Sequence, residues 1–225
     1  MANKITALIK DPDNIEIIRD QVSAILKIEC AAQYKMATDE GAVDAADYRI
    51  GIWKEKNRPW QITEDAEKKN PFPLVNVSLM GFHADTPPGP AIGQKKYIGE
   101  IYLDCYASGE FDGEDQADDT DSAVKAWKIG RIIRNILSSE RYSYLGLRGI
   151  VRDVRITEGK TGDPRNNENS AQSVTICRLV LSINYYEDSP RVETSEFLEY
   201  KFIATTPGGE VLFEMAGIPG VKEND

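Results

Sequence analysis

The sequence has one histidine and three cysteines in 225 residues, and these two scarcities remove much of enzyme chemistry. A Ser-His-Asp or Cys-His site would have to use His83, which stands at the head of a proline-rich stretch beside no nucleophile motif. No G-x-S-x-G, H-E-x-x-H or G-x-x-x-x-G-K-[ST] pattern occurs. Cys30, Cys105 and Cys177 lie far apart and form no C-x-x-C pair, so neither a disulfide framework nor a zinc knuckle is indicated. Cys105 and Cys177 fall on the apolar faces of predicted strands, which reads as buried thiols acting as small hydrophobes. Long apolar runs are missing as well; each is a few residues, against the ~20 that a spanning helix needs. The N-terminal MANKITALIKDPDN has no apolar run ending in a small-residue cleavage site, so the expectation is synthesis and residence in the cytosol, without a membrane. Positive charge is also short. The formal net charge is −10, the opposite of what phosphate neutralisation asks of a tight nucleic-acid binder. Arg131, Arg134, Arg141, Arg148, Arg152 and Arg155 leave room only for a local basic patch.

What remains is an ordinary globular composition, 41% hydrophobic and 28% charged, long enough for one domain with a real core. Ile15, Ile18, Val22, Ile25 and Leu26 recur at helical spacing and predict a helix over 12–30, weakly continued through Tyr34. Asp11 would cap it, with Pro12 at the first helical position. Short strands are expected at 48–54 and 74–80, the latter with Val75, Val77 and Leu79 alternating against Asn76 and Ser78. The stretch 83–96, with Pro87, Pro88 and Pro90, reads as a loop.

Beyond it lies the clearest unit of the chain. An alternating strand over 97–107 puts Ile101, Leu103, Cys105 and Ala107 on one face. An acidic loop follows, then a helix from about 120 to 138 whose apolar stripe takes in Ala123, Ala126, Trp127, Ile129, Ile132, Ile133, Ile136 and Leu137. Asp118, Asp119 and Asp121 at its start and Arg131 and Arg134 towards its end complement the helix dipole. Further strands are expected at 149–156, 174–186 and 194–205, with 157–172 as a long polar loop. The fold class is therefore α+β, a mostly antiparallel sheet packed against a long central helix and an N-terminal helix. It is read as a single domain over 1–225, with its core at about 12–205. Loop insertions are placed at 31–73, 83–96 and 157–172, and an apolar C-terminal extension at 206–225.

Two clusters invite a chemical reading. A hard cation wants several converging carboxylate oxygens, and the loop at 110–121 supplies acids at Asp112, Asp115 and Asp119. The run does not follow the D-x-[DN]-x-[DN]-G-x5-E spacing and reads as a solvated loop, so no metal, cofactor or catalytic residue is assigned. Trp53 and Trp60 flank the basic segment KEKNRP; such aromatics can stack bases, but two tryptophans beside a strand end are more often core or subunit contacts.

The helix NIEIIRDQVSAIL, the strands LVNVSLM and IGEIYLDCYA, the acidic insert, the helix AVKAWKIGRIIRNIL and the turn YLGLRGIV span about 15–205 with the strands that follow. In this order they resemble the tail terminator, or tail-completion (neck), proteins of tailed bacteriophages. The segments 31–73 and 157–172 and the C-terminal extension depart from the compact members of that family. The resemblance implies a structural virion protein, not an enzyme, with no catalytic residue to carry over. It implies a homo-oligomeric ring, commonly a hexamer, at the head-proximal end of the tail tube. The tail tube protein and the head–tail connector are the implied partners, with the sheath as a further one, and DNA meets the ring only in passage. Localisation would be the virion neck, after assembly in the host bacterial cytoplasm. Trp53, Trp60, Pro87, Pro88, Arg165, Val211, Leu212 and Phe213 are the residues expected to contact other subunits or partners. The rival readings are a head-closure or sheath-initiating baseplate component, and a metal-dependent hydrolase using the acidic loop.

Overall fold

The computed structural model describes residues 10–57, 73–85, 95–109, 118–162 and 174–187, together with the backbone of 200–205 and 211–217. The chain divides into two compact units, Pro12–Asp188 and a second made of Met1–Asp11 with Ser189–Asp225.

The larger unit runs α1 (Asn14–Asp39), β1 (Gly51–Lys54), β2 (Leu74–Ala84), β3 (Lys95–Ser108), α2 (Asp118–Leu137), β4 (Val151–Gly162) and β5 (Val174–Glu187). The strands form one sheet in the order β1-β2-β3-β5-β4. β1 pairs parallel with β2, and every other neighbour is antiparallel. This is the α+β arrangement that the periodicities predict. Alternation along β3 and β5 sets its register. Ile101 stands opposite Leu181, Leu103 opposite Leu179 and Cys105 opposite Cys177. A slip of one residue would turn this whole apolar row away from the helices.

Both helices cover that face. Ile15, Ile18, Val22, Ile25, Leu26 and Cys30 of α1 and Ala126, Ile129, Ile133 and Leu137 of α2 share one core with the sheet's Val75, Val77, Ile101, Leu103 and Ile183. α1 lies mainly over β1 and β2, and α2 over β3 and β5. Gly130 lets α2 approach closely, since a Cβ there would stand 2.8 Å from Cys177 Sγ. The opposite face carries a smaller buried cluster of Leu74, Tyr106, Val174 and Ile176, with Trp53 packed against it.

Several boundaries differ from those the sequence suggested, for local reasons. The cap of α1 is Asp13 rather than Asp11, because Glu16 reaches back to accept the Asp13 N–H at 3.1 Å. The helix continues to Asp39, so 31–39 is helical and not loop. A 3-10 turn at Ala45–Tyr48 supports its last turns and leads into β1. β2 extends through His83 and Ala84, and β3 begins at Lys95, because ladder pairing with one another holds these residues extended. Asn76, placed on a polar strand face, is buried; its amide accepts from Lys56 N at 3.0 Å and donates to Lys56 O at 3.1 Å. β4 takes in 157–162, which reads as polar loop. Of these, Thr157 falls at a register shift and 158–162 pair with Ile176–Val180 on a strand edge, where polarity costs little. The turn after α2 uses positive φ at Leu145 (52°), Gly146 (73°) and Gly149 (94°).

Two side chains fasten the beginning of this unit to its end. Asn14 donates its side-chain amide to Tyr186 O at 2.7 Å, and its backbone N–H to the Glu187 carboxylate at 3.0 Å. In the second unit, β6 (Tyr200–Thr205) and β7 (Val211–Gly217) form an antiparallel pair, Tyr200 opposite Gly217. β6 falls inside the strand expected at 194–205. β7 gives part of the C-terminal extension a regular structure that its apolar composition did not specify.

Candidate assembly surface

The helix α2 has two flanks with different neighbours. On one, Lys128 reaches Asp44 and, at 3.0 Å, Asp47, and stands 4.7 Å above the Tyr48 ring. Burial pushes the Lys128 ammonium down, but the two carboxylates outweigh it and hold its pKa above the ordinary lysine value. This flank is committed to holding the 3-10 turn after α1. The other flank faces β4. There Trp127 lies over Gly159, where a Cβ would come within 3.7 Å of the indole.

That second flank opens into a groove of about 520 Å³. Val124, Trp127 and Leu179 give it apolar walls, and Arg131 and Arg134 stand along it. Val124 is 63% exposed and Trp127 45% exposed. The expected inward stripe therefore fails at Trp127. The helix is centred on β3 and β5, and the strand beneath this flank offers a glycine instead of a side chain. Among the described residues Arg131 and Arg134 take part in no ion pair. An exposed tryptophan beside two uncommitted arginines is the composition of a contact surface, since these residue types dominate interface energetics. Sequence reasoning named both arginines as complements to the helix dipole and as part of a local basic patch, not as the wall of a groove. The available signal was Val124 with Trp127 and Arg131, spaced along a flank next to the core positions 126, 129 and 133.

A second exposed apolar group caps α1. Gly41 at φ 69° ends the helix, and the Ala42 N–H returns to Ala37 O at 3.0 Å. Beyond this turn Val43 is fully exposed, and Met36 in the last helical turns is 47% exposed. Glu40 lies between them in sequence and is also exposed.

Of the residues expected to make contacts, Trp53 is half-buried against Leu74, Tyr106, Val174 and Ile176, with Lys56 Nζ 5.5 Å from its ring centre. Val211, Leu212 and Phe213 belong to β7. Trp60, Pro87, Pro88 and Arg165 lie outside the described residues, as do Asp112 and Asp115. Asp119 is in the first turn of α2. Among the described residues no group of His, Cys, Asp and Glu side chains is arranged to hold a metal ion.

Several other polar groups tie elements of the fold together. Arg178 donates to both oxygens of the buried Asp104, at 2.7 and 2.9 Å, and lies 4.3 Å over the Tyr102 ring. The Asp104 hydrogen bonds hold the Arg178 pKa above its ordinary value. Glu29 accepts from the Tyr142 hydroxyl and, at 3.4 Å, from Arg141, tying the turn after α2 to α1. All three cysteines are buried and free. Burial pushes Cys30 to about 12 and Cys177 to about 11, and Cys105 well above the ordinary thiol value, so none is a ready nucleophile near neutral pH. Among the described residues no helix is long and apolar enough to cross a membrane. The chain matches no protein-family model, and comparison with curated proteins gave no match.

Proposed function

We propose that the chain is a structural component of a tailed-phage virion, a tail terminator or neck protein. In this reading its copies form a ring, commonly a hexamer, at the head-proximal end of the tail tube. The observation that carries the reading is the exposed groove on α2, set on a rigid layer of one sheet and two helices. A surface of this kind serves protein contact, and the reading requires each subunit to hold its neighbours. The succession of helix, strands, acidic insert, long helix and strands supports it as a resemblance of plan.

The physical mechanism needs no reaction. A head-to-tail interface closes into a ring when its rotation divides the circle evenly. One ring face then complements the last ring of tube subunits, while the opposite face offers no tube-binding surface, and growth stops by geometry. The opposite face is left for the head connector. A net charge of −10 suits a passage through which DNA slides without adhering.

Size-exclusion chromatography with light scattering, followed by negative-stain imaging with tail tubes, tests the reading. The expected result is a discrete ring that caps tube ends. A strict monomer at high concentration that leaves tube length unregulated would overturn it. Immunogold labelling of virions distinguishes the neck from a head-closure or baseplate position.

A further inference from the structure

We infer that the α2 groove of one copy seats the C-terminal end of α1 of the next copy, with Val43 and Met36 entering beside Trp127 and Glu40 meeting Arg131 and Arg134. This deepens the ring reading above and rests on it.

Three observations carry the pairing. The first is charge. Copies of a chain with net charge −10 repel one another, so self-association needs a local reversal of sign. The groove provides one, because Lys128 at its rim is engaged by Asp44 and Asp47 while Arg131 and Arg134 have no acidic partner among the described residues. The Glu40 carboxylate likewise has no partner among the described residues, whereas Asp39 beside it is held by Lys35 at 2.7 Å. The second is shape. Gly41 turns the chain sharply enough to leave Val43 projecting at the tip, a small apolar knob, and the groove is an apolar recess of about 520 Å³. The third is placement. Knob and recess stand on either side of one helix: Asp44, the neighbour of Val43, holds Lys128 at the near rim, and the groove opens across α2 towards β4. Because knob and recess are different surfaces, a contact in which each copy uses one of them is head-to-tail, the kind that generates rings. Val43 and Met36 then lose water against Trp127, and the arginines gain carboxylate partners in a partly dry setting where charge-assisted hydrogen bonds strengthen.

The test uses the full chain and two variants, each damaging one surface. Trp127→Ala with Arg131→Ala empties the groove; Val43→Lys sets a cation against the arginines. Circular dichroism and a melting temperature within about 3 °C of wild type establish that each variant folds, since these residues are exposed. Sedimentation velocity reads assembly. The expected result is that each variant alone associates at least about thirtyfold more weakly than wild type, as losing an interfacial hot spot implies. Mixed in equal amounts, the variants should form a one-to-one dimer and stop there. The intact knob of the groove variant fits the intact groove of the other, and no second good interface exists.

Variants that assemble like wild type would overturn this pairing while leaving the ring reading intact. Folded variants that stay monomeric when mixed would also overturn it. A wild-type protein that never assembles would overturn the ring reading itself, which separates the two failures.

Discussion

Glycine in the middle of a helix is normally a weakness, and replacing Gly130 of α2 with alanine would ordinarily add about 1 kcal/mol of stability. Here the sign should reverse. The new Cβ would lie 2.8 Å from Cys177 Sγ and 3.7 Å from Cys177 Cβ, on a buried strand in the middle of the core. Overpacking of this kind costs about 1–3 kcal/mol, so the net effect of Gly130→Ala is a loss of roughly 0–2 kcal/mol. Cys177→Ala alone removes one buried sulfur and leaves a small void, a loss of about 1 kcal/mol by analogy with other one-atom core deletions. In the double variant the alanine methyl occupies the space that the sulfur leaves. The two losses should then fail to add, with a coupling of about 1–2 kcal/mol in favour of the double variant. Urea unfolding of the four proteins gives the cycle, and thermal unfolding should follow at about 2–4 °C per kcal/mol for a chain of this size. Strict additivity, or Gly130→Ala more stable than wild type, would refute the claim that helix and strand are in contact at this point.

Removing Arg178 by Arg178→Ala should cost about 3 kcal/mol, because Asp104 stays buried without its cationic partner; adding Asp104→Asn should recover most of that loss in the same unfolding assay. Burial raises the folded-state pKa of Cys30 from 9.0 to about 12, so its contribution is complete below pH 9 and is lost as pH rises towards 12. Stability at pH 10.5 should fall by about 2 kcal/mol from this thiol, and Cys30→Ala should flatten the profile by that amount. Native protein at pH 8 should react with a thiol reagent far more slowly than unfolded protein, with all three cysteines protected. Millimolar Mg²⁺, Mn²⁺ or Ca²⁺ should leave the melting temperature unchanged and release no binding heat; a saturable heat abolished by alanine at Asp112, Asp115 and Asp119 would favour the hydrolase reading instead.

Strands with one covered face were easy to read, because burial imposes a two-residue period. Ile101, Leu103, Cys105 and Ala107 fall where alternation puts them, as do Cys177, Leu179, Leu181 and Ile183. Element ends were harder, since they depend on partners distant in sequence. The polar residues 157–162 carry no strand signal of their own and are extended because β5 pairs with them. Asp13 competes with Asp11 for the cap, and the position of Glu16 decides it. The groove was hidden for a different reason. Trp127 is apolar and sits between the core positions Ala126 and Ile129, so periodicity counts it as core. Only the strand order, with Gly159 beneath that flank, shows that among the described residues no side chain of the sheet edge covers it. The parallel pairing of β1 with β2 has no local signature at all.

The hydrogen bonds of Asn14 to Tyr186 and Glu187 bring the two ends of the larger unit to one corner. Tension arriving through both flanking segments would be borne across that corner as shear on a few polar links, and would not peel the sheet strand by strand. Under the virion-joint reading proposed above, strain reaching the two ends of this unit would fall first on that small clasp while the sheet kept its shape.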